Sequence, residues 1–285
     1  MPAETSPNVG VAGLGLMGRP IARRLGKDDI ATIGWNRSTL STELLEGIDS
    51  RSLDDVARRD IVLLVLADSP ATDEVLAQIE PSLRSGQIVL DMGSSEPRRS
   101  RSHADRLAER QIGWVDAPVS GGPEGAEAGS LAIMVGGSMA DVAATRVILE
   151  ILGGSVVHVG DAGAGHTTKI VNQLITGLAI EAVAEGLTLA EKAGLDPALV
   201  QQALTGGFAD SRVLQLHGSR MISRDYAPGG LAKTHLKDLR MAQALADELQ
   251  ISLPHAEDVA SRYQKLVERG GGDLDHSALH KLLWD

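Results

Sequence analysis

The chain has 285 residues, 43% hydrophobic and 23% charged, which exceeds one average domain and allows a sizeable core. Its formal net charge of −11, with no Lys/Arg block, argues against a nucleic-acid or anionic-membrane partner but leaves room for a small anionic ligand held by a few local cations. The absence of Cys excludes a thiol nucleophile, a disulfide framework and a Cys-based metal site.

In chain order, the opening Met1 to Asn8 is polar and carries no charged-then-apolar leader pattern. Apolar runs such as Ile61–Leu66 are strand-sized and too short to span a bilayer. The expectation is a cytoplasmic protein with no membrane partner. Val9–Ala12, Ala31–Trp35, Ile61–Leu66, Ile88–Met92, Gly113–Asp116, Leu131–Val135 and Val156–Val159 read as strands. Helical patterns such as Met17–Leu25 and Ser100–Glu109 fall between them, and this alternation implies parallel strands with crossover helices. From His166 to about Ala193 a long apolar stretch follows helical spacing on several faces, which predicts a long buried helix. Further helices are expected over Pro197–Leu204, Leu231–Leu249 and Pro254–Glu268, with no strand after Val159. The fold class is therefore α/β: an N-terminal Rossmann-type doubly wound sheet over 1–162, a long interdomain helix, and a C-terminal all-α domain over 163–285.

Val9-Gly10-Val11-Ala12-Gly13-Leu14-Gly15-Leu16-Met17-Gly18 is a strand running through G-x-G-x-x-G into a helix. In that context Gly13 permits the tight turn, Gly15 lets a pyrophosphate approach the backbone, and Gly18 allows close helix–strand packing. The free amides at the helix start favour phosphate. The second strand ends in Asn36-Arg37-Ser38, where an NAD-preferring site normally places Asp or Glu for the ribose hydroxyls. A guanidinium there suits a 2′-phosphate, so NADP(H) is expected in preference to NAD(H). The eight histidines show no metal-ligand spacing and no Ser/His/Asp order stands out, so no metal is expected.

Gly13-Leu14-Gly15-Leu16-Met17-Gly18 followed by Asp116-Ala117-Pro118-Val119-Ser120-Gly121-Gly122 resembles the β-hydroxyacid dehydrogenase family, which includes 3-hydroxyisobutyrate dehydrogenases and semialdehyde reductases. The resemblance continues through Gly163-Ala164-Gly165, Lys169-Ile170-Val171-Asn172, Leu236-Lys237-Asp238-Leu239 and Asp275-His276-Ser277-Ala278-Leu279. A finer likeness, in Gly206–Arg212 with His217-Gly218 and Arg220-Met221, is to the tartronate semialdehyde reductase branch. The family implies an active site in an interdomain cleft, a helical domain that forms subunit contacts, and hence a homodimer or homotetramer.

The resemblance also implies roles. Lys169, near the start of the long helix, is the expected acid that protonates the developing alkoxide, as a desolvated lysine does near neutrality. Asn172 follows one helical turn later on the same face. Gln173 stands where the family usually has a second Asn, which shifts that contact. Ser120, Gly121 and Gly122 resemble a carboxylate cradle, Ser94 a residue beside nicotinamide and substrate, and Arg212 a second cation for substrate. Leu14, Met17, Leu66 and Lys237 join Gly13, Gly15, Gly18, Asn36, Arg37, Ser38 and Ser94 on the cofactor side. The implied reaction is reduction of a small anionic aldehyde to a hydroxyacid, tartronate semialdehyde to glycerate first among them. 3-Hydroxyisobutyrate dehydrogenase, succinic semialdehyde or glyoxylate reductase, imine reductase and a non-catalytic reader stand as alternatives. The lysine speaks against the last two.

Overall fold

The computed structural model describes residues 7–284. The polar start, residues 1–6, where no leader was expected, lies outside the described residues. The chain forms two compact units, and the boundary falls between Lys169 and Ile170.

In the first unit, β1 (Val9–Ala12), β2 (Thr32–Trp35), β3 (Asp49–Ser50), β4 (Ile61–Leu64), β5 (Ile88–Asp91) and β6 (Gly113–Asp116) lie side by side in the order 3-2-1-4-5-6, all parallel. That order is the dinucleotide-binding arrangement. The sheet continues through β7 (Val119–Ser120), β8 (Leu131–Gly137) and β9 (Gly153–Gly160), where β8 runs antiparallel to β6 and β7 and parallel to β9. Strand–helix alternation carries no information about this reversal, so the all-parallel expectation holds for β1 to β6 and fails at β8.

Helices cover both faces of the sheet, which explains why its strands read as continuous apolar runs. Val9, Val11, Leu63, Leu90 and Val115 join one core with Ile21 and Leu25 of α1 (Gly18–Lys27) and Leu149 of α6 (Met139–Leu152). The alternate residues Val62, Leu64, Val89 and Trp114 join the other. There they meet Val56 of α2 (Leu53–Ala57), Leu76 of α3 (Ser69–Ile79) and Leu107 of α4 (Pro97–Ala108). The seven-residue α5 (Gly122–Ala128) follows β7 directly. The two-residue strands β3 and β7 are too short to leave a periodic signal, and the expected strands had not included them.

The long helix α7 (Ala164–Lys192) starts in the first unit and continues into the second. By length and composition alone it would pass as a membrane span. Its Ile180, Ala184 and Leu187 are instead buried in the core of the second unit. That core also takes Met221 of α9 (Arg212–Ser223), Leu236 and Leu239 of α10 (Ala232–Glu248), and Val259 and Tyr263 of α11 (Pro254–Leu266). The short α8 (Pro197–Leu204) precedes α9. Helix α9 was not expected: its apolar residues are interleaved with Gln215, His217, Ser219 and Arg220, and what marks its start is Ser211, whose hydroxyl caps the Leu214 amide. Helix α11 ends two residues before the expected limit, in a wider turn over Val267–Gly271 where Gly270 has φ +82°.

Glu181 of α7 is buried in the second unit, 2.5 Å from the Arg262 guanidinium. Burial pushes its carboxyl up to about 7 from an ordinary 4.5, Arg262 opposing and Glu185 reinforcing the rise. The folded state thus holds this proton where the unfolded chain has lost it. Its stabilising effect is complete below about 4.5 and disappears as pH rises through about 7. Comparison of wild type with Glu181→Gln by chemical denaturation at pH 5 and pH 8 is expected to show a smaller fall in the variant, by on the order of 2 kcal/mol. Equal slopes would contradict this.

Candidate active site

In the first unit the glycine loop leaves β1 and enters α1. Gly13 has φ +103°, and a Cβ there would lie 2.3 Å from the Val65 carbonyl oxygen. A Cβ on Gly18 would fall 1.8 Å from the Gly13 oxygen, so only glycine lets the helix start this close to the turn. Gly15 differs: nothing in the chain comes within 4 Å of its Cβ position. Protein packing therefore does not demand glycine at 15, whereas close approach of a pyrophosphate to the loop backbone would, and the loop fits a dinucleotide. Leu14 is buried, while Leu16 is 44% exposed and Met17 half-buried.

The end of β2 is fastened to this loop. The Leu14 amide donates to Asn36 Oδ1 at 3.0 Å, and Asn36 Nδ2 donates to the Ser38 carbonyl at 2.9 Å and lies 3.1 Å from Ser38 Oγ. An aspartate at 36 could accept from Leu14 but could not donate to Ser38. Arg37 is largely exposed and faces Glu74 at 3.3 Å. Leu66 packs at the edge of the core on the α3 side.

Lys169, 9% exposed, donates from Nζ to the Val119 carbonyl at 2.8 Å. Val119 directly precedes Ser120 and Gly121, so the ammonium is tied to the strand that carries the expected carboxylate cradle. Gly121 and Gly122 have φ +140° and +69°, conformations that favour glycine. Ser94 lies in the turn after β5, whose shape is set by the Gly93 amide donating to Asp91 Oδ1 at 2.9 Å. The first unit thus collects the glycine loop, Asn36–Ser38, Leu66, Ser94, Ser120–Gly122 and Lys169.

The remaining expected residues belong to the second unit. Asn172 Nδ2 donates to Gln173 Oε1 at 2.8 Å, Gln173 Nε2 donates to Asp238 Oδ2 at 2.6 Å, and Lys237 Nζ pairs with Asp238 Oδ1 at 3.1 Å. Asp238 is buried, and Lys237 is partly exposed. The longer amide of Gln173 thus spans from α7 to α10, and both ends of it are engaged within this unit. Arg212 is exposed in the first turn of α9 and takes no part in this network.

A family model for the NAD binding domain of 6-phosphogluconate dehydrogenase matches residues 8–160. A second, for the NAD-binding of NADP-dependent 3-hydroxyisobutyrate dehydrogenase, matches residues 163–283. The chain is 39% identical to 2-hydroxy-3-oxopropionate reductase of Escherichia coli (strain K12), over 96% of each. The chain belongs to the 3-hydroxyisobutyrate dehydrogenase-like family. Among solved structures, the 3-hydroxyisobutyrate dehydrogenase of Salmonella typhimurium superposes with a TM-score of 0.87 at 26% identity, covering 96% of this chain and 99% of that one. The enzyme of the same name from Mycobacterium tuberculosis, solved with L-serine, also gives 0.87 at 25% identity, covering 99% of this chain and 100% of that one.

For a 3-hydroxyisobutyrate dehydrogenase-like chain, sequence reasoning passed over three buried polar residues of the first unit. Asp91 and Asp116 sit opposite one another at the ends of β5 and β6, and both are fully buried. His166, in the first turn of α7, lies against both. Burial raises the Asp91 carboxyl above its ordinary range, and Asp116 adds to the rise while His166 and the Gly93 amide oppose it. The available signal was a carboxylate closing each of two apolar strand runs, where charge is costly unless partnered. The second unit also holds His217, Asp275 and His276 with ligand atoms within 4.8 Å of one another, a grouping that sequence spacing does not reveal. Asp275 there accepts from the amides of Gly229, Gly230 and Ser277 and pairs with Arg220, so its oxygens are already engaged by the protein.

Proposed function

We propose that this chain is a nicotinamide-dependent reductase of small carboxylate-bearing aldehydes, with tartronate semialdehyde, reduced to glycerate, as the first candidate substrate and NADPH as the preferred cofactor. The observation that carries the reading is Lys169: a buried lysine anchored to the Val119 carbonyl, next to the Ser120-Gly121-Gly122 turn, in a chain 39% identical to 2-hydroxy-3-oxopropionate reductase.

The glycine loop and the residues after β2 would hold the dinucleotide, which when bound supplies hydride. The chain's own residues do the rest. Ser120 Oγ and the backbone amides of Gly121 and Gly122 take the substrate carboxylate. Nζ of Lys169 gives its proton to the carbonyl oxygen as that oxygen gains negative charge, leaving a neutral amine and an alcohol. In the second unit Asn172, one helical turn beyond Lys169 along α7, is held by Gln173. Asp238 holds Gln173 and Lys237 together. Small anionic aldehydes or hydroxyacids are the partners this chemistry fits, in a homodimer or homotetramer.

The NADP preference rests on Arg37 and the missing carboxylate at position 36. Glu74 pairs with Arg37 in this structure, and a 2′-phosphate would have to displace it or share the guanidinium. Kinetics with NADPH and NADH against tartronate semialdehyde, glyoxylate, succinic semialdehyde and methylmalonate semialdehyde test both parts. NADPH with tartronate semialdehyde is expected to give the highest kcat/KM. Arg37→Ala is expected to raise KM for NADPH about tenfold or more, the value of one charge-assisted phosphate contact, and to leave NADH little changed. An equal effect on both cofactors would remove the argument from Arg37. Poor turnover of every acid would direct attention to imines.

A further inference from the structure

We infer that His166 is a positioning residue that sets the Gly93–Ser94 turn against the helix start carrying Lys169; this rests on the proposed roles of Ser94 and Lys169. The geometry lies wholly within the first unit. His166 is 1% exposed, and each ring nitrogen has a partner: Nδ1 is 2.6 Å from Ser100 Oγ on α4, and Nε2 is 3.2 Å from the Gly93 carbonyl. A carbonyl only accepts, so Nε2 carries the hydrogen and donates it to Gly93. The Asp91 and Asp116 carboxylates lie 3.7 and 3.8 Å from the ring nitrogens, beyond hydrogen-bond range but near enough to favour an imidazole there over an apolar side chain.

The same cluster fixes the helix. Asp116 accepts from the Gly163 amide at 2.7 Å and from the His166 amide at 2.9 Å, so the end of β6 caps the start of α7. Gly165 makes the close approach possible: a Cβ there would lie 2.4 Å from the Met134 carbonyl and 2.5 Å from that of Asp116. Lys169 stands one turn further along. On the other side of the imidazole, Asp91 accepts from the Gly93 amide and from Ser95 Oγ, bracketing Ser94. His166 thus joins two otherwise separate supports. One orients the ammonium and the other orients the serine turn.

The two amide isosteres separate the two bonds. In His166→Gln the longer side chain reaches the Nε2 position and keeps a donor to Gly93, losing Ser100. In His166→Asn the amide reaches only the Nδ1 position, keeping Ser100 and losing Gly93. Each variant gives up one buried hydrogen bond, so similar losses of Tm are expected. Turnover is expected to separate them. His166→Asn should lose about tenfold or more in kcat, whereas His166→Gln should stay within about threefold of wild type. Ser100→Ala, which leaves the Gly93 contact in place, should lower Tm without lowering kcat.

A second readout needs neither substrate nor cofactor: acylation of the Lys169 ε-amine by a water-soluble acetyl N-hydroxysuccinimide ester, with N-hydroxysuccinimide leaving and the amine proton passing to buffer, followed by peptide mass spectrometry. Acylation should be faster in His166→Asn than in wild type or His166→Gln. Parallel kcat losses in the two variants that track Tm, or wild-type kcat and acylation in His166→Asn, would overturn the inference. Should wild type reduce none of the aldehydes, the proposed function fails. The acylation comparison then decides alone, faster labelling of the Asn variant supporting the positioning role and equal rates refuting it.

Discussion

Lys169→Ala is expected to lower kcat for aldehyde reduction by about two to four orders of magnitude, the range for loss of a positioned general acid. The argument is one of place. Lys169 is buried beside the Ser120–Gly122 turn, and its Nζ is aimed by the Val119 carbonyl rather than spread over solvent. Cofactor affinity should survive, because the glycine loop, Asn36 and Arg37 are built by β1, α1 and β2 without Lys169. Titration of NADPH fluorescence on the variant measures that directly. Lys169→Arg is a sharper test, since it keeps charge and reach but holds its proton too tightly to give it up. It should be nearly as slow as the alanine variant. Near-normal turnover in either variant, with NADPH bound, would dismiss Lys169 as the acid.

The second large effect is on stability. Asp275→Ala is expected to destabilise the helical unit by about 3–5 kcal/mol, as removal of one member of a buried charge network does. Asp275 joins segments far apart in the chain: the Gly229 and Gly230 amides before α10, the Ser277 amide and hydroxyl beyond it, and the Arg220 guanidinium of α9. Burial alone would raise its carboxyl, but His217, His276, and the hydrogen bonds from Ser277 and the Gly230 amide together hold it far below the ordinary range. Its contribution is therefore present above that ordinary range and is lost as pH falls towards the depressed native value. Denaturation at neutral pH should show the full loss in Asp275→Ala, with faster hydrogen exchange across 276–283. A variant within about 0.5 kcal/mol of wild type would mean that the network carries no weight.

How much of this was legible in the chain depends on how local each feature is. The strands β1, β2, β4, β5 and β6 could be read because burial on both faces leaves unbroken apolar runs such as Ile61–Leu64, whereas the exposed two-residue β3 could not. The glycine loop could be read because its steric demands are met within a few residues, as Gly18 against Gly13 shows. Lys169 came from a motif, and its anchor at Val119, 50 residues earlier, had no signature. The motif carries Gln173 as a substrate contact but says nothing of its bond to Asp238, 65 residues on. The histidines looked scattered for the same reason: His217, His235 and His276 meet only once α9, α10 and the 276–283 segment pack together. Helix α9 was hidden by its polar composition, with only a capping serine to announce it.

The boundary between the compact units, inside α7 and just after Lys169, bears on how such chains can be recombined. A chimera joined at the seam between the two matched family segments, near residues 161–162, would take Lys169 from the parent that donates the helices. The carbonyl that aims it and the aspartate that starts its helix would come from the other parent. A junction placed after Lys169 inherits all three from one parent, at the cost of splicing within a continuous helix. In this chain the compact unit that holds Lys169 with its supports and the segment matched by the first family model do not end at the same residue.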